Sequence, residues 1–173
     1  MMLSRRRLLG GCGGLVAALA CPALVRAGAR VVDVHMRGRD GGAAVWFDPV
    51  GLHVEPETTL RWINRDPGNA HTATAYHPAF RGRQRRVPAE AEPWDSGYLL
   101  PDEEFSVTLT AEGVYDYYCL PHEMAGMVGR IVVGRASANP AFSGPGEPPP
   151  ELALAAFPPV ARILAEGAVG PDA

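Results

Sequence analysis

An all-β fold, an antiparallel Greek-key β-sandwich, is what this 173-residue sequence predicts. Three observations carry that expectation. Twenty glycines and 17 prolines make more than a fifth of the chain, so turns are frequent and a helical bundle is disfavoured. Apolar residues alternate with period two in short runs, and no long segment of 3.6 period interrupts them. With 47% hydrophobic and 20% charged residues, the chain buries a core and is not wholly disordered. The length suits one domain, since about 100–200 residues per domain is usual.

The strands follow in order. Val31, Val32, Val34 and Met36 mark the first. Val45-Trp46-Phe47 is the second, and Leu52-His53-Val54 extends or follows it. Thr58 to Asn64 alternates with Leu60 and Trp62 on one face, and Thr72 to Tyr76 is a short polar/apolar run. Glu104 to Leu109 turns Phe105, Val107 and Leu109 inward. Val114 to Cys119 places Tyr115, Tyr117 and Cys119 on one side, and Val128 to Val133 closes the series. Regular short strands between Gly/Pro turns are the pattern of a sandwich.

Two segments fall outside the strands. His77 to Gly97 reads as a long loop holding Arg81, Arg83, Arg85 and Arg86, expected to be solvated or to act as a docking or site-covering flap. Residues 136–173 read as a Pro-rich C-terminal extension. It starts as a Pro/Gly/Ser-rich arm and continues as a weak helical stripe of Leu152, Ala156, Phe157, Val160, Ile163 and Leu164. Pro158-Pro159 breaks that stripe into two short pieces. The extension is expected to dock on its own domain.

Residues 1–27 have the layout of a signal peptide. Ser4-Arg5-Arg6-Arg7-Leu8-Leu9 is a charged start, Gly10 to Ala20 a short apolar stretch, and Val25-Arg26-Ala27 a small-residue cleavage site. The paired arginines before Leu8-Leu9 resemble a twin-arginine signal, which implies export of a folded chain, to the periplasm. Ala18-Leu19-Ala20-Cys21 is a poor lipoprotein box, so a lipid anchor through Cys21 is disfavoured. The apolar stretch is shorter than the ~20 residues a membrane span needs. The expected division is a signal over 1–27, a sandwich over 28–135 and the extension over 136–173.

Cleavage changes the charge and cysteine arithmetic. All 16 basic residues are arginine, and 19 acids oppose them. Without residues 1–27, 12 arginines face 19 acids, a formal charge of −7. A nucleic-acid partner is therefore not expected. Cys12 and Cys21 leave with the signal, so Cys119 remains alone and no intrachain disulfide can form. A lone thiol in an oxidising compartment needs something to hold it.

The segment from Val114 to Ile131 supplies the holder. Cys119 ends an alternating strand, His122 lies three residues on and Met127 five beyond that. One turn can bring thiol, imidazole and thioether round a point, and that donor set suits copper. A second imidazole from elsewhere would complete a His₂Cys plane with a weak axial Met. His71 follows the turn Arg65-Asp66-Pro67-Gly68-Asn69-Ala70 and opens a short strand, the expected setting. His77 is its rival, while His35 and His53 sit in strand-like runs and read as surface residues.

These residues resemble the type 1 (blue) copper site of cupredoxins. Gly113-Val114-Tyr115-Asp116-Tyr117-Tyr118-Cys119, Pro121-His122-Glu123 and Gly126-Met127-Val128-Gly129-Arg130-Ile131 are similar to the plastocyanin, pseudoazurin and halocyanin branch, as is Asp95-Ser96-Gly97-Tyr98-Leu99. The resemblance covers about residues 30–134. It implies one copper ion, with His71, Cys119 and His122 equatorial and Met127 axial. Many members carry Asn after the first histidine, where this chain has Thr72. Met124 is a second thioether, read as part of an apolar surface round His122 and not as a ligand.

The function these features imply is single-electron transfer in the periplasm, by a monomer that is not an enzyme. A cytochrome or periplasmic oxidoreductase would be the transient partner. Copper trafficking or storage, or an accessory role in a larger copper enzyme, are the alternatives. No His-x-His pairs occur, as a multicopper oxidase would need.

Overall fold

The computed structural model describes residues 30–136, 142 and 144–171. The proposed signal, with Cys12 and Cys21, lies outside the described residues. Among the described residues nine strands form two sheets. β1 (Val31–Arg39), β2 (Ala44–Asp48), β4 (Thr58–Asn64) and β6 (Glu104–Leu109) form one, in the order β2-β1-β4-β6. β3 (Gly51–Val54), β5 (Thr74–Ala75), β7 (Gly113–Tyr118), β8 (Val128–Val133) and β9 (Ala168–Val169) form the other, in the order β5-β7-β8-β3-β9.

Every strand read from alternation is present. The sheets, however, are mixed. β1 pairs with β4 in parallel, Val34 opposite Trp62, and β3 pairs with β8 in parallel, Leu52 opposite Ile131. The remaining pairings are antiparallel. The inner faces meet over Val34, Met36, Phe47, Leu60, Trp62, Tyr115, Tyr117 and Ile131, all at most 1% exposed. Tyr117 packs against Phe47 at 4.7 Å and edge-on to Trp62 at 5.3 Å between ring centres, an arrangement that favours the ring quadrupoles.

The C-terminal segment covers the second sheet. α1 (Glu151–Ala156) and α2 (Val160–Glu166) are split at Phe157-Pro158-Pro159, as the two prolines require. The inward residues are Ala153, Phe157, Val160 and Ile163, whereas Leu152, expected to face in, is 64% exposed. Val160, Ile163 and Val169 cluster with Val114 and Val132 on the outer face of β7 and β8. That cover explains why both strands are buried on both faces.

His77 to Gly97 is less solvated than expected. Arg86, Val87 and Trp94 are buried, and Arg83 is mostly covered. Arg86 and Arg130 both bond the fully buried Asp116, through Nε at 2.9 and 2.7 Å. Arg130 Nη1 also donates to the Pro158 carbonyl at 3.0 Å. Phe142 lies 4.0 Å from the Arg86 guanidinium, and Phe157 lies 4.9 Å from that of Arg130. One carboxylate thus ties the loop, two strands and the C-terminal segment together. Among the described residues no helix is long and apolar enough to cross a membrane.

Candidate metal centre

The site sits where β7 ends. Cys119 leaves the strand fully buried, and residues Leu120–Ala125 wind as a 3₁₀ turn closed by Gly126 at φ 80°. A left-handed residue there favours glycine. The Gly126 amide donates to the Glu123 carbonyl at 2.9 Å. Cys119 N donates to Met127 O at 3.0 Å and Met127 N to His122 O at 3.1 Å, so the backbone closes the turn on itself.

His71 enters from the other side. Its backbone pairs with Leu99, N to O 3.1 Å and O to N 2.8 Å. His71 Nδ1 lies 3.5 Å from Cys119 Sγ, and His122 Nδ1 lies 3.4 Å from the same sulfur. The donor atoms of His71, Cys119 and His122 all lie within 4.8 Å of one another. Met127 is fully buried, whereas Met124 is 69% exposed. His77 is elsewhere, its Nδ1 accepting from Ala79 N at 3.1 Å. His35 and His53 are engaged with Arg37 and the Gly134 carbonyl.

Asp66 fixes the His71 ring. Its Oδ2 accepts hydrogen bonds from His71 Nε2 at 3.0 Å and the Asn69 amide at 2.8 Å, and its Oδ1 accepts from Gly68 N at 2.9 Å. Burial raises the Asp66 pKa, but these hydrogen bonds outweigh it and hold the carboxyl below its ordinary value. With Nε2 protonated toward an anion, the Nδ1 lone pair faces Cys119, the orienting role carboxylates play behind metal-binding histidines. Asn64 frames the turn, donating to the Asn69 and Leu99 carbonyls and accepting from Asp66 N. Gly38 makes room, since a Cβ there would collide with the Asp66 carboxylate. Sequence reasoning missed Asp66 and Gly38. The available signal was an acid five residues before His71 in a Pro-Gly turn.

Thr72 ties the start of the 3₁₀ turn to the His71 segment. Its Oγ1 accepts from Leu120 N at 2.8 Å. Thr74 donates to Asp95 at 3.0 Å, so the Thr72 hydroxyl proton goes to Thr74 Oγ1 at 2.9 Å. Thr72 N also points at Cys119 Sγ, 3.3 Å away.

Burial pushes the Cys119 thiol up to about 12, against the pull of the Thr72 amide. Burial first, then the neighbouring His71, holds the His122 imidazole below its ordinary value, against an opposing pull from Asp66. A buried sulfur and two imidazole lone pairs converging on one point are soft to borderline donors, and they fit copper.

The comparisons agree with that chemistry. The profile of copper binding proteins of the plastocyanin/azurin family matches residues 32–134. The chain is 36% identical over 128 residues to a chloroplastic plastocyanin of Chlamydomonas reinhardtii, covering 74% of this chain and 82% of that protein. It is 34% identical over 129 residues to a chloroplastic plastocyanin of Oryza sativa subsp. indica, covering 74% and 80%. Among solved structures, it is similar to a pseudoazurin of Methylobacterium extorquens AM1, 29% identical with a TM-score of 0.46, covering 61% and 76%. Fold and donor set define a copper-binding cupredoxin. The chain belongs to the plastocyanin/azurin family of copper-binding proteins.

Proposed function

We propose that the protein is an exported electron carrier of the periplasm, cycling one electron through a type 1 copper held by His71, Cys119, His122 and Met127. The observation that carries the reading is the buried convergence of His71 Nδ1 and His122 Nδ1 on Cys119 Sγ. Copper, when bound, supplies the one-electron couple. The chain supplies rigidity: Asp66 holds the His71 ring, Thr72 ties Leu120, and the backbone locks Met127 to both Cys119 and His122. Donors that do not rearrange between redox states keep the barrier to transfer low.

Export rests on the layout of residues 1–27, and the unpaired Cys119 is consistent with metal ligation protecting it. The partner surface is the apolar end round His122. His122 is half-buried, and Pro121, Met124 and Ala125 around it are exposed. A redox protein docking there transiently would meet the imidazole edge. The carrier reading is tested by repeated oxidation and reduction of the copper-loaded protein at an electrode, with total copper measured after cycling. Reversible one-electron waves with copper retained are expected. Loss of copper to a Cu(I) chelator within a few cycles would instead identify a trafficking protein.

A further inference from the structure

Glu123 follows His122 in the 3₁₀ turn and is only 3% exposed. A carboxylate that deep needs partners. Tyr76 donates its hydroxyl to Glu123 Oε1 at 2.7 Å, and Arg83 Nη2 donates to Oε2. Burial and the adjacent Glu123 carboxylate raise the Tyr76 pKa, so its phenol stays a donor. Arg83 reaches onward, its Nη1 3.0 Å from Glu147 Oε2. The backbones there also pair, Gln84 N to Glu147 O at 2.9 Å and Glu147 N to Gly82 O at 2.8 Å. Gly146, at φ 113°, permits the approach: a Cβ there would sit 2.7 Å from Arg83 C and Gln84 N.

The turn needs such ties. It is a six-residue 3₁₀ helix without a side-chain N-cap, and 3₁₀ runs beyond 3–4 residues are uncommon. Thr72 holds its first residue, Leu120. Gly126 lies against α1, where a Cβ would meet Ala156 Cβ and the Leu152 carbonyl at 3.6 Å. The side chain next to His122 is held by Glu123's partners.

We infer that Arg83 and Glu123 form a clamp that positions the copper-holding turn, and that Glu147 joins the C-terminal segment to it. Arg83 is a positioning residue for His122, and this role rests on the reading of His122 as a copper ligand. Without the guanidinium, the Glu123 carboxylate keeps the Tyr76 hydroxyl but loses its countercharge. It then moves toward water and draws the backbone of the turn with it.

The test uses the full copper-loaded protein with Arg83→Met, Glu123→Gln, the double variant and Arg83→Lys. Release of copper from the reduced protein to a Cu(I) chelator is timed by stopped flow. Partners behind metal ligands typically contribute about 10–100-fold to affinity, so about tenfold faster release is expected from each single variant. The double variant should be no worse than either single one, because both break one linkage. Arg83→Lys should retain most of the wild-type behaviour.

A second readout needs no metal. Amide hydrogen exchange at Gly126 and Met127, which close the turn onto Glu123 O and His122 O, should quicken in copper-free Arg83→Met. If Arg83→Met fails to fold, Glu123→Gln carries both measurements. Release and exchange within about twofold of wild type would overturn the clamp. So would potentials that shift in opposite directions in the two single variants and return in the double variant, with release unchanged. That is the signature of charge alone. Failure of the ligand assignment looks different: His122→Ala would then leave the visible copper spectrum intact.

Discussion

Asp116→Asn changes one atom type in a buried ion cluster, where one carboxylate serves two arginines. Asp116 is 0% exposed and receives Arg86 Nε at 2.9 Å, Arg130 Nε at 2.7 Å and Arg130 Nη2 at 2.9 Å. The amide keeps the volume but removes the charge, and its NH₂ faces guanidinium donors. Two buried cations then share a neutral partner. Removing one member of a buried ion pair typically costs about 3–5 kcal/mol. At about 2–4 °C per kcal/mol for a chain of this size, the melting midpoint should fall by about 6–20 °C. Thermal unfolding of the copper-free protein, followed by circular dichroism, measures this. Below the lowered midpoint the copper spectrum should be unchanged, because the Asp116 carboxylate bonds Arg86 and Arg130 and none of the proposed copper ligands. A midpoint within about 3 °C of wild type would show that Asp116 does not neutralise the two arginines at a net gain. It would mean that the arginines reach water or another anion when Asp116 is neutral.

Other expectations concern the site. Thr72→Val removes the acceptor for Leu120 N and should cost about 1–3 kcal/mol for the buried amide left unpaired, read by denaturant unfolding. Asp66 has a lowered folded pKa. The stability it contributes is therefore present above its unfolded pKa of about 3.9 and is lost as pH falls through the lower folded value. Asp66→Asn should flatten that acid limb in melts taken across the range, and an unchanged limb would assign it to other carboxylates. Met127→Leu should keep copper and raise its potential, while Met124→Leu, at an exposed position, should change little. The reverse pattern by voltammetry would move the axial assignment to Met124.

Much of this molecule is legible in its sequence because strand alternation is local. Each of the eight runs forms a strand, and Cys119, His122 and Met127 lie within nine residues of one another. What alternation does not carry is partnership between distant segments. The parallel pairing of β1 with β4, and of β3 with β8, leaves no mark on either strand. Arg83 and Arg86 read as loop charges because their anions, Glu123 and Asp116, lie 40 and 30 positions on. Leu152 was expected to face inward from a helical stripe, yet the Pro158-Pro159 break leaves Ala153 and Phe157 as the inward residues. Asp66 was hidden for another reason. A turn rich in Pro, Gly and Asn is explained by chain reversal alone, and only the fold brings its carboxylate to His71.

The proposed function stands on Cys119 Sγ being a direct ligand of one type 1 copper. The visible absorption spectrum of the Cu(II)-loaded protein, beside that of Cys119→Ser, tests it most directly. An intense thiolate-to-copper charge-transfer band is expected in the wild type, and its absence is expected in Cys119→Ser. A wild-type protein that binds one Cu(II) without that band, or a Cys119→Ser variant that keeps it, would mean that Cys119 is not a ligand.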